Sequence, residues 1–484
     1  MNRLPVELLF AILNHLPRSD LPPVALTSRT LRSCTEPILY AHVTLDVPGL
    51  YRSSTRPTSP DDVEYSHDLA RSLLYFQSAF DALASPLARL VRILTITGMI
   101  PLEDCNPTYF ATCYPGRDHL NEMKRMWRTF CFALEQMSEL REFTSDCLLH
   151  VEACASLFKG PKPNLRVVHL PGYCHPPVER ILMLSATSIK SLQIPLLPSL
   201  TSLSFRAYNP PPDLLELLFK VLCVHAPQLT KLVWLILSDG LVMPPETNFQ
   251  SLKDLEGLWD SLTVFSSSQF PKLLSLSLNG PPAEHRLFHL SDLLPQLESL
   301  EIAFSTPPEV LTLPPTLRVI RLTGDPYSIP RNEELVIQCI SQLSVCSAHL
   351  RTLEIELRYI EESIHTIADF LPSLPALTVL RLYSSVFVDD PEDCGTWEHR
   401  HEKELRSFGS QVLSRLPVLQ SLSVVKPADT EVDAKVFRAQ TKADVISWQR
   451  SVVQHWKTAH SYLQHVTLTP SIDWHWRNAG WEVV

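Results

Sequence analysis

Apolar residues fall into two patterns along the chain. The first occupies the N-terminus, at Leu4, Leu8, Leu9, Ile12, Leu13 and Leu16. Steps of three and four put these residues on one stripe of a helix. Pro5 lies in the first turn, where an amide has no intrahelical partner anyway, and Pro17 is a stop signal. Ser19 or Asp20 can cap the next helix. That second, short helix is bounded by Pro22-Pro23 and Ser28, and a third runs from about Ser28 toward Glu36, where Pro37 ends it. So small a helical bundle cannot bury a full core alone, and its surplus of apolar surface points to a partner. Ala41 to Val47 alternates as a strand, Pro48 to Glu64 reads as an exposed loop, and Asp68 to Ala84 returns to helical spacing.

The second pattern takes over near residue 87. Its unit is apolar-x-x-apolar-x-apolar, usually preceded by Pro. It stands at Val91-Leu94-Ile96, Leu165-Val168-Leu170, Ile189-Leu192-Ile194, Leu200-Leu203-Phe205, Leu229-Leu232-Trp234 and Leu273-Leu276-Leu278. It continues at Leu297-Leu300-Ile302, Leu317-Ile320-Leu322, Leu350-Leu353-Ile355, Leu377-Leu380-Leu382, Leu419-Leu422-Val424 and Leu463-Val466-Leu468, with a weaker copy at Leu140-Phe143. The prelude recurs in FPKLLSL, LPQLESL, LPALTVL and LPVLQSL. This spacing resembles the leucine-rich repeat. The last three residues alternate as a short strand and the leading Leu turns inward beneath it. One unit cannot bury its apolar side, so neighbours stack and share a core.

Helical stretches between the strands, at Asp213 to His225, Glu333 to Cys346, Ser363 to Leu371 and Leu405 to Leu416, are expected on the convex side. The Asn or Cys of the regular repeat, three positions past the last apolar residue, is replaced by Tyr173, Pro281, Ser305, Asp325 and Arg358. Spacing is uneven, with insertions near 101–120, 238–270 and 384–405. The aromatic run Asp473-Trp474-His475-Trp476, with Trp481, is expected to cap the open end. The fold class expected is therefore α/β: a helical segment over 1–40, a linker over 41–86, and an irregular solenoid over 87–484 with parallel strands on its concave side.

The N-terminal stretch resembles an F-box, the helical module by which substrate receptors dock on the Skp adaptor of cullin–RING ubiquitin ligases. The resemblance rests on Leu4-Pro5, Glu7-Leu8-Leu9, Ile12-Leu13, Leu16, Leu21, Ala25-Leu26, Ser28-Arg29 and Leu31-Arg32. The exit Glu36-Pro37-Ile38-Leu39-Tyr40-Ala41-His42-Val43 looks like that of many fungal F-box proteins. Thr30 stands where many members carry an aromatic residue, and Pro-Pro lies inside the second helix. The resemblance implies adaptor docking through Leu4, Pro5, Leu8, Leu9, Ile12, Leu13, Leu16, Leu21 and Leu26. It also implies a non-catalytic substrate receptor of an SCF-type ligase, with an interaction scaffold outside ubiquitination as the alternative.

Composition narrows the partners. Net charge is −10, against nucleic-acid binding, which calls for a basic stripe. No apolar run reaches the length of a membrane span, and the N-terminus lacks a secretory pattern. Eleven Cys without a C-x-x-C pair read as reduced thiols of a cytoplasmic or nuclear protein. With 41 Pro against 12 Gly there is little material for a phosphate loop, and no G-x-S-x-G or H-E-x-x-H occurs. His399 and His401 lack further ligands, and Cys147 and Cys154 read as buried thiols. No metal, cofactor or catalytic set is expected. Residues between the apolar strand positions face the concave side. Among them Glu301, Arg321, Glu354 and Arg381, with the adjacent Tyr383, form the candidate surface for a target protein, since Arg and Tyr are favoured interface anchors.

Overall fold

The structure is a computed structural model. It describes residues 4–46, 78–97, 119–145, 151–159, 161–173, 194–208, 212–237, 247–258, 267–279, 287–304, 310–324, 340, 342–357, 371–384, 397–425, 442–469 and 472–484. The chain divides into two units, Met1–Leu252 and Lys253–Val484.

The first unit opens with helices α1 (Val6–Leu13), α2 (Leu21–Thr27) and α3 (Arg29–Leu39). Leu9, Leu13, Leu21 and Cys34 form their shared core, with Phe10, Leu16, Val24, Leu31, Ile38 and Leu39 packed against it. Pro22 and Pro23 fall in the first turn of α2, where their missing amides cost nothing. Ser28 caps α3, its Oγ accepting the Leu31 amide at 3.1 Å. Pro37 does not end α3 as expected. It sits in the last turn, and the helix closes two residues later, with the Tyr40 amide bonded to the Glu36 carbonyl at 2.9 Å.

Six parallel strands come next: β1 (His42–Asp46), β2 (Ile93–Thr97), β3 (Glu142–Ser145), β4 (Val167–Tyr173), β5 (Ser202–Tyr208) and β6 (Lys231–Leu237). Their register sets Leu94, Phe143, Val168, Leu203 and Leu232 side by side, all buried. β1 pairs in parallel with β2, so the stretch expected to be a linker holds the first strand of the sheet. Helices α4 (His119–Gln136), α5 (Val151–Phe158) and α6 (Pro212–His225) lie between strands. Phe219 of α6 meets Trp234 of β6 at 5.6 Å between ring centroids, which puts the helix on the buried face of the strands.

The second unit continues the plan. Parallel β7 (Asp254–Leu258) and β8 (Ser275–Asn279) pair with each other, and β8 pairs with β10 (Ser299–Phe304). β12 (Val319–Gly324), β13 (Thr352–Leu357), β14 (Val379–Ser384), β15 (Ser421–Val425) and β16 (His465–Thr469) extend the parallel sheet. β9 (Leu287–His289) and β11 (Val310–Thr312) form a separate parallel pair beside a short helix, α7 (Leu290–Leu293). The stretch 238–270, expected to be an insertion, contains β7. Its repeat is hidden because Gly257 stands where the third apolar residue belongs.

Helix α8 (Trp397–Leu413) begins inside the expected 384–405 insertion, and α9 (Lys442–Ala459) packs on it. Gly409 makes that packing possible. A Cβ there would lie 1.8 Å from Nε1 of buried Trp456, which donates to the Leu405 carbonyl at 3.0 Å. At the C-terminal end β17 (Ile472–Arg477) and β18 (Gly480–Val483) turn antiparallel against β16. Trp474 is fully buried there and donates to Oε1 of Gln449 at 2.8 Å, closing the core as a cap does.

A turn recurs before the strands. The leading Leu amide bonds the carbonyl three residues back: Leu229 to Ala226, Leu273 to Phe270, Leu297 to Leu294, Leu377 to Leu374 and Leu419 to Leu416. Pro271, Pro295, Pro375 and Pro417 take the first central position of these turns, where the ring's fixed φ suits the geometry. This gives a recurring place in the fold to some of the chain's many Pro residues. Ile189 and Leu192, the bulk of the 101–120 and 384–405 insertions, most of 333–346 and nearly all of 363–371 lie outside the described residues.

Candidate docking surfaces

Helix α1 is apolar on two adjacent stripes, and only one faces its own bundle. Leu9 and Leu13 are 5% and 3% exposed, while Leu8 and Ile12, each one residue earlier, are both 51% exposed. Leu4 and Pro5 precede the helix and are also exposed, and Leu26 on α2 stands almost fully in solvent. Val6, absent from the sequence-based candidates, joins them at 49%. The nine residues implied by the F-box resemblance therefore divide. Leu4, Pro5, Leu8, Ile12 and Leu26 are offered outward. Leu9, Leu13 and Leu21 belong to the core, and Leu16 is half-buried against it. A helix apolar all round is one that expects burial on both sides. The signal lies in the spacing itself: Leu8 and Ile12 are four apart, as are Leu9 and Leu13, and a single-stripe reading merges the two pairs.

The four charged candidates of the second unit lie in one row across four strands. Glu301, Arg321, Glu354 and Arg381 are register neighbours on β10, β12, β13 and β14. Arg321 reaches Glu301 at 3.5 Å and Glu354 at 3.3 Å, and Arg381 reaches Glu354 at 3.4 Å. Two cations and two carboxylates thus neutralise one another, with Glu354 the least exposed and doubly paired. Such half-exposed pairs contribute little each, about 0–1 kcal/mol. Tyr383 is in register with Glu356 and Val425, and its side chain lies outside the described residues.

Farther along the same face is a polar chain that the sequence did not announce, because its members are 44 residues apart. Ser421 Oγ lies 2.8 Å from Nδ1 of His465, and Nε2 of His465 lies 3.4 Å from Oδ1 of Asp473. Thr467 donates to the same Asp473 oxygen at 2.6 Å, and the His475 ring lies 4.6 Å from that of His465, tilted by 40°. Burial, with the charges of His465 and Arg477, holds the His475 pKa below the usual histidine value against the pull of Asp473. A hydroxyl–imidazole–carboxylate set that performs acyl transfer draws much of its rate from donors aimed at the developing oxyanion. Here the amides of Ser421 and His465 are committed to the Thr378 and Gln420 carbonyls. The chain of bonds therefore pins β15, β16 and β17 together.

Among the described residues no group of three or more His, Cys, Asp or Glu is placed to hold a metal ion. His399 and His401 fall within α8, and their side chains lie outside the described residues. Cys154 is buried; Cys147 and the acidic run Asp389 to Asp393 lie outside the described residues. No described helix is long and apolar enough to cross a membrane.

No curated protein matches the sequence. Among solved structures the chain is similar to CroV588, described as a novel circular LRR protein, at 13% identity and a TM-score of 0.32. That match covers 69% of this chain and 37% of CroV588, so the chain spans little over a third of that protein's length. Residues 1–46 match the F-box-like family model, which covers all three N-terminal helices and the first strand.

Proposed function

We propose that this protein is a non-catalytic substrate receptor of an SCF-type cullin–RING ubiquitin ligase. It docks on a Skp-type adaptor through the outer face of the α1–α3 bundle and holds a target protein on the open face of its parallel strands. The observation that carries this reading is the double stripe of α1. Leu8 and Ile12 remain half in water after the bundle has filled its core with Leu9 and Leu13. F-box modules bind Skp-type adaptors, and apolar side chains left outward on such a module are what an adaptor would cover. The receptor's contribution is effective concentration and orientation of the target, with no chemical group of its own.

The test is a pull-down of the full chain by a Skp adaptor and cullin, beside Leu8→Asp and Ile12→Asp. A carboxylate placed in an apolar interface costs several kcal/mol, so both variants should lose the adaptor while the bundle stays folded. Retention of the adaptor by both would refute the docking face. If the unsubstituted chain captures neither protein, the remaining reading is a repeat scaffold outside ubiquitination. The row Glu301, Arg321, Glu354 and Arg381 is already paired within itself, so a target engages it by shape and by displacing existing bonds.

A further inference from the structure

The F-box-like bundle is fastened directly to the first strand of the sheet. Only Tyr40 and Ala41 separate α3 from β1. The Ala41 carbonyl already accepts the amides of Arg92 and Ile93, at 2.8 and 2.9 Å, so the ladder to β2 begins before β1 does. Carbonyls alternate in direction along a strand. The next one, of His42, therefore points to the outer edge of β1, where no described strand pairs with it. Arg18 occupies that edge. It lies on the 3-10 turn Arg18–Asp20 between α1 and α2, and its Nη2 donates to the Leu39 carbonyl at 2.6 Å and to the His42 carbonyl. Leu39 closes α3, whose carbonyl end favours a cation, and His42 opens β1. One side chain thus joins the α1–α2 connection, the end of α3 and the edge strand. A sheet edge needs such cover, and a solenoid needs its terminal repeat closed.

We infer that Arg18 is a positioning residue that locks the docking bundle to the edge strand and so fixes the direction in which the first unit is held out from the adaptor. The inference rests on the proposed docking role for its meaning, not for its geometry. It also makes the bundle the cap of the sheet, so that deleting residues 1–40 uncovers β1 as well as removing the docking face.

The experiment uses the full chain with Arg18→Gln and Arg18→Lys. Hydrogen exchange is read on peptides covering 40–46 and 88–97, adaptor affinity is measured beside it, and the chain's own lysines modified in the assembled ligase are mapped. Arg18→Gln should speed exchange at the β1–β2 junction about tenfold, the scale left by two charge-assisted bonds lost at an exposed site where water replaces part of each. Peptides of β5 and β6 should be unchanged and adaptor affinity should stay within about twofold. The set of modified lysines should widen, and Arg18→Lys, able to reach one carbonyl, should fall between. Unchanged exchange at the junction overturns the lock, and an unchanged lysine set overturns the positioning. Faster exchange throughout α1–α3 with loss of the adaptor also overturns the inference, since Arg18 would then only hold the bundle together. Failure of the unsubstituted chain to bind adaptor would defeat the ligase reading instead, and the exchange arm would still report on the lock.

Discussion

Lys162 occupies a slot that the repeat gives to apolar side chains, and replacing it by methionine tests what that costs. The slot is three residues before the leading Leu, where Leu197, Ala226, Phe249, Phe270 and Leu416 stand in other repeats. Lys162 is 1% exposed and lies beside a groove of about 640 Å³ lined by Pro161, Pro163, Pro195, Leu196 and Pro198. Its ammonium donates to the Lys159 carbonyl at 2.6 Å and, at the limit of a hydrogen bond, to that of Ser156 at 3.5 Å. Burial pushes its pKa down from 10.5 to about 8, with Glu135 opposing. A fall of that size corresponds to about 3 kcal/mol of preference for the neutral amine. Between about 8 and 10.5 the unfolded chain keeps the proton that the folded chain has released, so stability rises with pH across that window and the full penalty is present below it.

Lys162→Met has no proton to lose. Its stability relative to the unsubstituted protein should therefore be greatest below about pH 7.5 and shrink by about 2–3 kcal/mol by pH 10. Urea midpoints of both proteins at several pH values measure this. Cys346 acts in the opposite sense, because burial pushes its thiol from 9.0 up to about 11 and stability is lost as pH rises through that range. It does so in both proteins and cancels in the difference. A difference that stays flat with pH would refute the reasoning: the helix-end carbonyls would then solvate the ammonium well enough to hold its proton.

The packing supplies three further tests. Gly409→Ala drives a methyl into the Trp456 indole and should lower stability by about 1–3 kcal/mol, read as a fall in Tm, whereas Ser410→Ala beside it should be nearly neutral. Leu13→Asp should melt the α1–α3 bundle while Ile12→Asp, one residue earlier, leaves its helical circular dichroism intact, because only Leu13 is in the core. Trp474→Phe removes the donor to buried Gln449 and should cost about 1–3 kcal/mol, with exchange rising first in β17 and β18.

The strands are legible in the sequence because each carries its own alternation. Every described repeat named from the apolar spacing, from Val91-Leu94-Ile96 to Leu463-Val466-Leu468, has its strand where the spacing puts it. Gly257 hides β7, since a repeat whose third apolar residue is a Gly leaves too little pattern to see. β1 reads as a strand but not as part of the sheet, because its partner β2 is 51 residues away in sequence and pairing across that distance leaves no local mark. At Pro37 a local rule predicts a helix end, and tertiary packing of Ile38 and Leu39 overrides it. The spacing shows two stripes on α1, but which of them faces inward is beyond the sequence. Leu8 and Leu9 are the same residue type, and only the fold tells which of them water reaches.

The turn before most of the parallel strands also decides what this chain can absorb. The leading Leu amide closes on the carbonyl three residues back, so a strand's register is set inside its own turn and not by the length of chain that precedes it. Glu354 and Arg381 face each other across 27 residues of intervening chain, and Ser421 and His465 across 44. A segment gained or lost between rungs leaves the rungs in line. Such an architecture separates two kinds of change: length varies in the connections while the face that meets a partner keeps its alignment, and a new loop can be tried without losing the old surface.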